Sequence, residues 1–232
     1  IGAADAVSTV GPRLAEALRT HHRLAECPVV IRSIPDRIAL EPRSAAWPLR
    51  LLYHGHVVHH RGLEALIDSM RFWTVPHHLT IRGDGDPGYV ATLQQRAAAL
   101  GAAAHISFEP AVAPDDVVPR AAVGADVGVF CPPLDTPQRQ FTLPNKLFEY
   151  IGAGLAVLVS PGADLHALVE AHGVGVVAVD AGPDAVAAAV NALDPAKVER
   201  FRAAAREAAH VLCWEAERKA FDDLHDRLAI MA

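Results

Sequence analysis

The feature that most constrains this chain is an alternation of short apolar runs with helical patterns along nearly its whole length. Runs at 5–10, 28–34, 49–55, 78–84, 104–110, 126–132, 156–160 and 174–179 are mostly bounded by Gly, Pro or Asp and read as strands. Continuous apolar character is what a strand needs when both of its faces are covered, as in a parallel sheet. Between these runs, residues 11–22, 62–74, 86–100, 114–124, 143–153, 163–172 and 182–193 carry helical spacing. Several open on a start signal such as Pro114-Asp115-Asp116 or Pro161-Gly162. Two further helices are expected at about 195–212 and 214–230, the second rich in charge. Such a succession folds as α/β: a doubly wound, Rossmann-like parallel sheet with right-handed crossovers.

The alternation breaks once. Residues 35–48 hold Pro35, Pro42 and Pro48 among scattered charges without periodicity, which reads as a linker. A boundary near residue 45 therefore divides a short βαβ piece with its linker, 1–44, from a six-stranded unit, 45–232. At 232 residues, 51% hydrophobic and 21% charged, the chain has ordinary globular composition and enough length for a sizeable core. A net charge of -6 excludes a general polyanion binder but leaves room for a local phosphate pocket. Cys27, Cys131 and Cys213 stand far apart without CxxC spacing, so neither a disulfide framework nor a zinc site is indicated, and a reducing cytoplasmic compartment is the simpler expectation. No apolar run reaches the roughly 18 residues of a membrane span. The sequence begins without Met, so nothing about targeting follows from its start, and peripheral membrane association would come through regions outside it.

Ligands of open parallel sheets bind outside the carboxyl ends of the strands, and four such ends carry suggestive residues. In YHGHVVHHRG (53–62), Gly55 ends a strand and Arg61-Gly62 opens a helix, a setting that suits a phosphate or simply leaves Arg61 solvated. His54, His56, His59 and His60 crowd the same stretch, but no carboxylate or Cys stands beside them in sequence, so a hydrogen bond from His56 to phosphate outweighs a metal cluster. In TIRGDGDPGY (80–89), Gly83 and Gly85 let backbone approach a ligand or form a plain tight turn; GxGxxG spacing is absent. The apolar loop FEPAVAPDD (108–116) offers a wall for a flat base. In LPNKLFEYIGAG (143–154), Leu147, Tyr150 and Ile151 follow the sheet-facing stripe while Glu149 falls off it. A carboxylate there accepts two hydrogen bonds from a vicinal diol such as ribose; the plainer alternatives are an exposed helix former or an ion pair with Lys146.

At these residues the chain resembles the retaining GT-B glycosyltransferases of family four. GHVVHHRG (55–62) is similar to their GRLxxxKG loop, TIRGDGDPGY (80–89) to their GxGP turn, and LPNKLFEYIGAGLAVLVS (143–160) to the PxKLFEYMAAGKPVV variant of their donor-binding helix and strand. ADAVSTVGPRLAEAL (4–18) resembles the last strand and helix of the acceptor-side domain, and CWEAERKAFDDLHDRL (213–228) the closing helices. The matches run in order over essentially the whole chain. The resemblance implies the carboxyl-terminal half of a GT-B fold, with 1–44 a remnant of the acceptor-side domain. It implies that Glu149 and Arg61 are the catalytic pair, Glu149 holding the ribose of a nucleotide-sugar and Arg61, His56 and Gly55 facing its diphosphate. Gly83 and Gly85 would lie in the donor-side turn, Pro110 to Val112 would flank the base, and the 139–146 turn with Asn145, Lys146 and Leu147 would cradle phosphate and sugar.

Two departures qualify this. His56 replaces the customary Arg, and Phe141 stands where the family's first carboxylate of an E-x7-E pair would fall. The implied reaction moves a hexose from a UDP- or GDP-linked donor, with retention, to a carbohydrate, lipid or small-molecule acceptor, with no metal, no further cofactor and no nucleic-acid partner. These residues alone would bind donor without turning it over. Two other readings remain: a catalytically inactive nucleotide-sugar-binding module, and a GT-B-fold nucleotide-sugar epimerase.

Overall fold

The computed structural model describes residues 1, 4–141 and 143–231. Its first part is a parallel pair of short strands, β1 (Ser8–Thr9) and β2 (Val29–Val30), joined by α1 (Pro12–His22). Residues 31–48 form neither helix nor strand, as the prolines require. The main sheet then begins: β3 (Leu49–His54), α2 (Leu63–Ser69), β4 (His77–Arg82), α3 (Pro87–Ala99), β5 (Ile106–Glu109), α4 (Val117–Gly124) and β6 (Val127–Phe130). It continues through a single turn, α5 (Pro137–Gln140), to α6 (Asn145–Gly152), β7 (Ala156–Val159), α7 (Ala163–His172), β8 (Gly175–Val177) and α8 (Pro183–Asn191). The helices α9 (Pro195–Ala208) and α10 (Trp214–Met231) close it.

All strands of the six-stranded sheet run parallel, in the order β5-β4-β3-β6-β7-β8. The central strands are covered on both faces, and every residue of β6 and β7 is buried, which is why they read as unbroken apolar runs. Each expected strand and helix is present, most with slightly tighter limits. Helix 62–74 gives way after Ser69 to a tighter turn at Met70–Phe72, and helix 195–212 ends at Ala208. The added element is α5, whose start is capped by Thr136 Oγ1 accepting from the Arg139 amide at 3.4 Å; a single turn is too short to show a period.

Strand order reverses between β3 and β6, so their carboxyl ends form the switch point where open α/β sheets bind ligands. The two strands pair only at Leu51 with Val127 and Leu52 with Gly128, then part. The Tyr150 phenol of α6 fills the opening. It accepts from the His54 amide at 3.1 Å and donates to the Val129 carbonyl at 3.3 Å. Its ring lies directly on Gly128, where an added Cβ would stand 2.1 Å from the ring carbon Cγ. Gly128→Ala must therefore displace Tyr150, and we expect a loss of about 2–3 kcal/mol in chemical denaturation, as for overpacked cores.

Polar ties hold the extended segment to the sheet. Asp126, with no exposed surface, accepts from Arg43, Ala46, Arg50 and Arg202 at the amino end of β6. Arg32 forks onto buried Glu217 of α10, and the Trp214 amide donates to the Pro35 carbonyl at 3.0 Å. Among the described residues no helix is long and apolar enough to cross a membrane.

Candidate functional site at the switch point

At the switch point the ends of β3 and β4 lie side by side, and α6 meets the end of β3 through Tyr150 and Glu149. At the end of β3 the chain turns through Gly55, with φ at 108°, and the next loops run side by side: the Gly55 amide donates to the Arg82 carbonyl and the Val57 amide to the Asp84 carbonyl, each at 2.9 Å. That pairing explains the glycines after β4. A Cβ at Gly83 would lie 1.9 Å from the Gly55 carbonyl oxygen, and one at Gly85 2.1 Å from that of Val57. Of the two expectations for these glycines, close approach of a ligand or a tight turn, the close neighbour here is the adjoining loop, while Gly83 also lines the cavity described below.

Glu149 and Lys146 stand on one face of α6. The Glu149 side chain is 25% exposed, neither a solvated helix former nor paired with Lys146; its Oε2 lies 3.1 Å from His54 Nε2. Burial raises its carboxyl above the ordinary value, opposed by the charge of Lys146. Lys146 Nζ sits 3.8 Å from the Tyr53 ring centroid and 5.0 Å from that of Phe130, and a Cβ at Gly55 would meet it at 3.0 Å. Burial first, then the charge of Arg61, lower the Lys146 ammonium to about 7, with Glu149 opposing. Lys146 thus feels both Arg61 and Glu149. Arg61 itself is exposed and forms no ion pair among the described residues.

The start of α6 has Pro144 as its cap residue, whose side chain offers no hydrogen bond, and Asn145 at its first position is exposed. Leu147, expected at the ligand, is wholly buried in the core, and its amide donates to the Pro144 carbonyl at 3.0 Å. Thr142 of the expected 139–146 cradle lies outside the described residues. His56 is exposed, while its carbonyl accepts from the Tyr53 hydroxyl at 2.8 Å. The other histidines diverge. His54 turns inward, and His59 packs at a tilt against Tyr89 with ring centroids 3.9 Å apart. Among the described residues no group of three metal-ligating side chains converges.

Two hollows adjoin these strand ends. One, of about 100 Å³, is walled by His54, Gly55, Arg82, Gly83, Ala111, Val112 and Val117. The other, a broader groove of about 870 Å³, runs past Arg82, Glu109, Pro110 and Val112. The expected base wall, Pro110 to Val112, thus borders both. A third hollow of about 580 Å³ lies between residues 37–43 and α9, by Gly154 before β7; it is at the amino end of the sheet, away from the switch point. Sequence reasoning missed His54, Arg82 and the bridging role of Tyr150 as site residues. Only the position of His54 and Arg82 at strand ends could have signalled them.

The family model of the glycosyl transferases group 1 matches residues 48–194, more than half of the chain and all of the sheet with its switch point. The chain belongs to the group 1 glycosyl transferases. No curated protein matches it in sequence. Among solved structures this group 1 chain is similar to sucrose-phosphate synthase from Thermosynechococcus elongatus, with a TM-score of 0.78 and 18% identity over 99% of this chain and 59% of that one. It is similar to Anabaena HepE, solved with UDP and glucose, with a TM-score of 0.77 and 16% identity over 97% of this chain and 63% of that one. A Rickettsia africae glycosyltransferase gives 0.75 and 12% over 96% and 63%. These likenesses establish the fold as the Rossmann-like domain of GT-B glycosyltransferases. The chain spans about two fifths to somewhat over three fifths of the length of these and the other similar structures.

Proposed function

We propose that the chain is the donor-binding, carboxyl-terminal half of a retaining GT-B hexosyltransferase that uses a nucleoside-diphosphate sugar. Residues 45–232 form the donor domain, and 1–44 belong with the acceptor-side domain and its linker. The observation that carries this reading is the cluster at the switch point: Glu149 on α6 stands 3.1 Å from His54 at the end of β3, and Lys146, one turn away on the same helix, feels the charge of Arg61. HepE has been solved with UDP and with UDP-glucose, which supports a nucleotide-sugar donor here.

In this arrangement Glu149 accepts from the ribose hydroxyls. The base lies along the Ala111-Val112 wall, and the diphosphate meets Lys146, Arg61 and the start of α6. Negative charge grows on the leaving diphosphate as the glycosidic bond breaks. Fixed cations and helix amides that need no reorganisation lower that barrier, each donor by about 3–4 kcal/mol. With the positive charge supplied by side chains, the reaction needs no bound metal. Transfer itself belongs to the two-domain enzyme, because the acceptor must approach from the facing half.

Calorimetry with UDP, GDP and their sugars tests the assignment. Micromolar binding of one nucleotide series, weakened about 10–100-fold in Arg61→Ala as for a hydrogen bond to a charged group, is the expected result. No binding by any of them would overturn it. The Lys146 ammonium gives a second expectation. Near pH 7 it is only partly protonated, and an arriving diphosphate favours the charged form. Binding should therefore take up a proton at pH 7–8, and affinity should fall as pH rises above about 7. Binding heats in buffers of different ionisation enthalpy report the uptake directly, and Lys146→Met should abolish it.

A further inference from the structure

The imidazole of His54 has no role in the reading above, yet it stands at the switch point beside Glu149. It ends β3, is only 7% exposed, and forms part of the wall of the 100 Å³ cavity. Tyr150 holds it twice: the ring stands edge-on to that of Tyr150 with centroids 4.8 Å apart, and the His54 amide donates to the Tyr150 hydroxyl. Nε2 lies 3.1 Å from Glu149 Oε2 but out of line for a hydrogen bond, so among the described residues it is a buried nitrogen without a hydrogen-bond partner. Buried polar atoms are seldom left unsatisfied, since each costs desolvation without return.

We propose that His54 is a positioning residue for Glu149, donating from Nε2 to the carboxylate once the carboxylate has turned to accept the ribose hydroxyls. The inference rests on the donor-site reading. Three groups confront the ring besides Tyr150: Glu149 and Lys146 from α6 and Arg82 from β4. Burial first, then the charges of Lys146 and Arg82, lower the imidazole to about 3, so it is neutral at any working pH. A neutral imidazole carries one N–H, and the facing carboxylate selects the tautomer with that proton on Nε2. His54 then fixes one Glu149 oxygen without adding charge, leaving the other lone pairs aimed at the diol. A carboxylate held on one side gives up less freedom on binding, which is how preorganisation raises affinity. This ties His54 to recognition of the ribose and not of the base or the phosphates.

Binding of UDP and 2′-deoxy-UDP, with GDP and 2′-deoxy-GDP as a second pair, separates these roles. Wild type should favour the ribonucleotide at least 10-fold. His54→Val, which keeps a β-branched apolar strand residue, should shrink that preference to a few-fold or less, lowering ribonucleotide affinity more than that of the deoxynucleotide, which keeps only its 3′-hydroxyl for Glu149. His54→Gln, whose amide nitrogen reaches to about the place of Nε2, should restore most of the preference. The ratio should be flat from pH 6 to 8, because the imidazole does not titrate there. A His54→Val protein that keeps the wild-type ratio overturns the proposal and leaves the donor-site reading standing. Equal weakening of both nucleotides, with no rescue by His54→Gln, marks a merely structural histidine and also overturns it. Failure of wild type to bind any of the four nucleotides overturns both.

Discussion

Asp126→Ala should lower folding stability by about 3–5 kcal/mol, the range for breaking a buried ion pair on one side. The carboxylate has no exposed surface and takes hydrogen bonds from three guanidinium groups and two backbone amides. Arg43 and Arg50 keep 25% and 32% of their side chains exposed, so water can take over from Asp126 and their loss is screened. Arg202 decides the magnitude. It is 2% exposed, cannot lose its proton, and would keep only the Gly154 carbonyl at 3.2 Å. The double variant Asp126→Ala with Arg202→Met removes that stranded charge and should recover a large part of the loss. Urea denaturation of the three proteins checks this; a double variant no more stable than Asp126→Ala would show that packing, not charge, is at stake.

The same carboxylate sets a pH dependence. Burial alone would raise Asp126, but hydrogen bonds and charge from Arg50 and Arg43 outweigh it and hold it below its usual range. A lowered folded value means that the stabilisation is complete above the unfolded value of about 4 and is lost as pH falls through the folded one. The stability gap between wild type and Asp126→Ala should hence be constant from neutral pH down to about pH 4 and narrow below it.

How legible each feature was depended on whether its cause is local. β6 and β7 announce themselves because strands buried on both faces must be apolar throughout, and α6 because its stripe of Leu147, Tyr150 and Ile151 repeats at helical spacing. Glu149 stood out for the same reason, as the residue off that stripe. His54 and Tyr150 are 96 positions apart and meet only because β3 and β6 part at the switch point. Asp126 looked like a strand-starting residue, and its partners come from 76 to 83 positions away. The glycines after β4 were legible as glycines, but whether a ligand or the loop after β3 lies against them depends on which strand is next door.

Glu149→Ala is expected to weaken binding of the donor nucleotide by about 3 kcal/mol, roughly 100-fold, since two hydrogen bonds from the ribose to a charged acceptor are lost together. Glu149→Gln keeps an acceptor but removes the charge and should fall between, roughly 10-fold weaker. Stability should move the other way. Burial raises the Glu149 carboxyl, so its ionised form is the one the fold disfavours. The sign follows: there is no penalty below the unfolded value, and a penalty grows as pH rises from there through the folded value and persists above it. At neutral pH the nucleotide-free Glu149→Gln protein should accordingly melt no lower than wild type, and higher if Lys146 does not offset the change, while its melting point responds less to added nucleotide. A carboxylate kept for the fold would behave oppositely, with Glu149→Gln melting lower and its response to nucleotide intact. Thermal melts of both proteins with and without UDP and GDP separate the two cases. A residue whose removal relaxes the empty protein and loosens the filled one is held at a cost that only the ligand offsets.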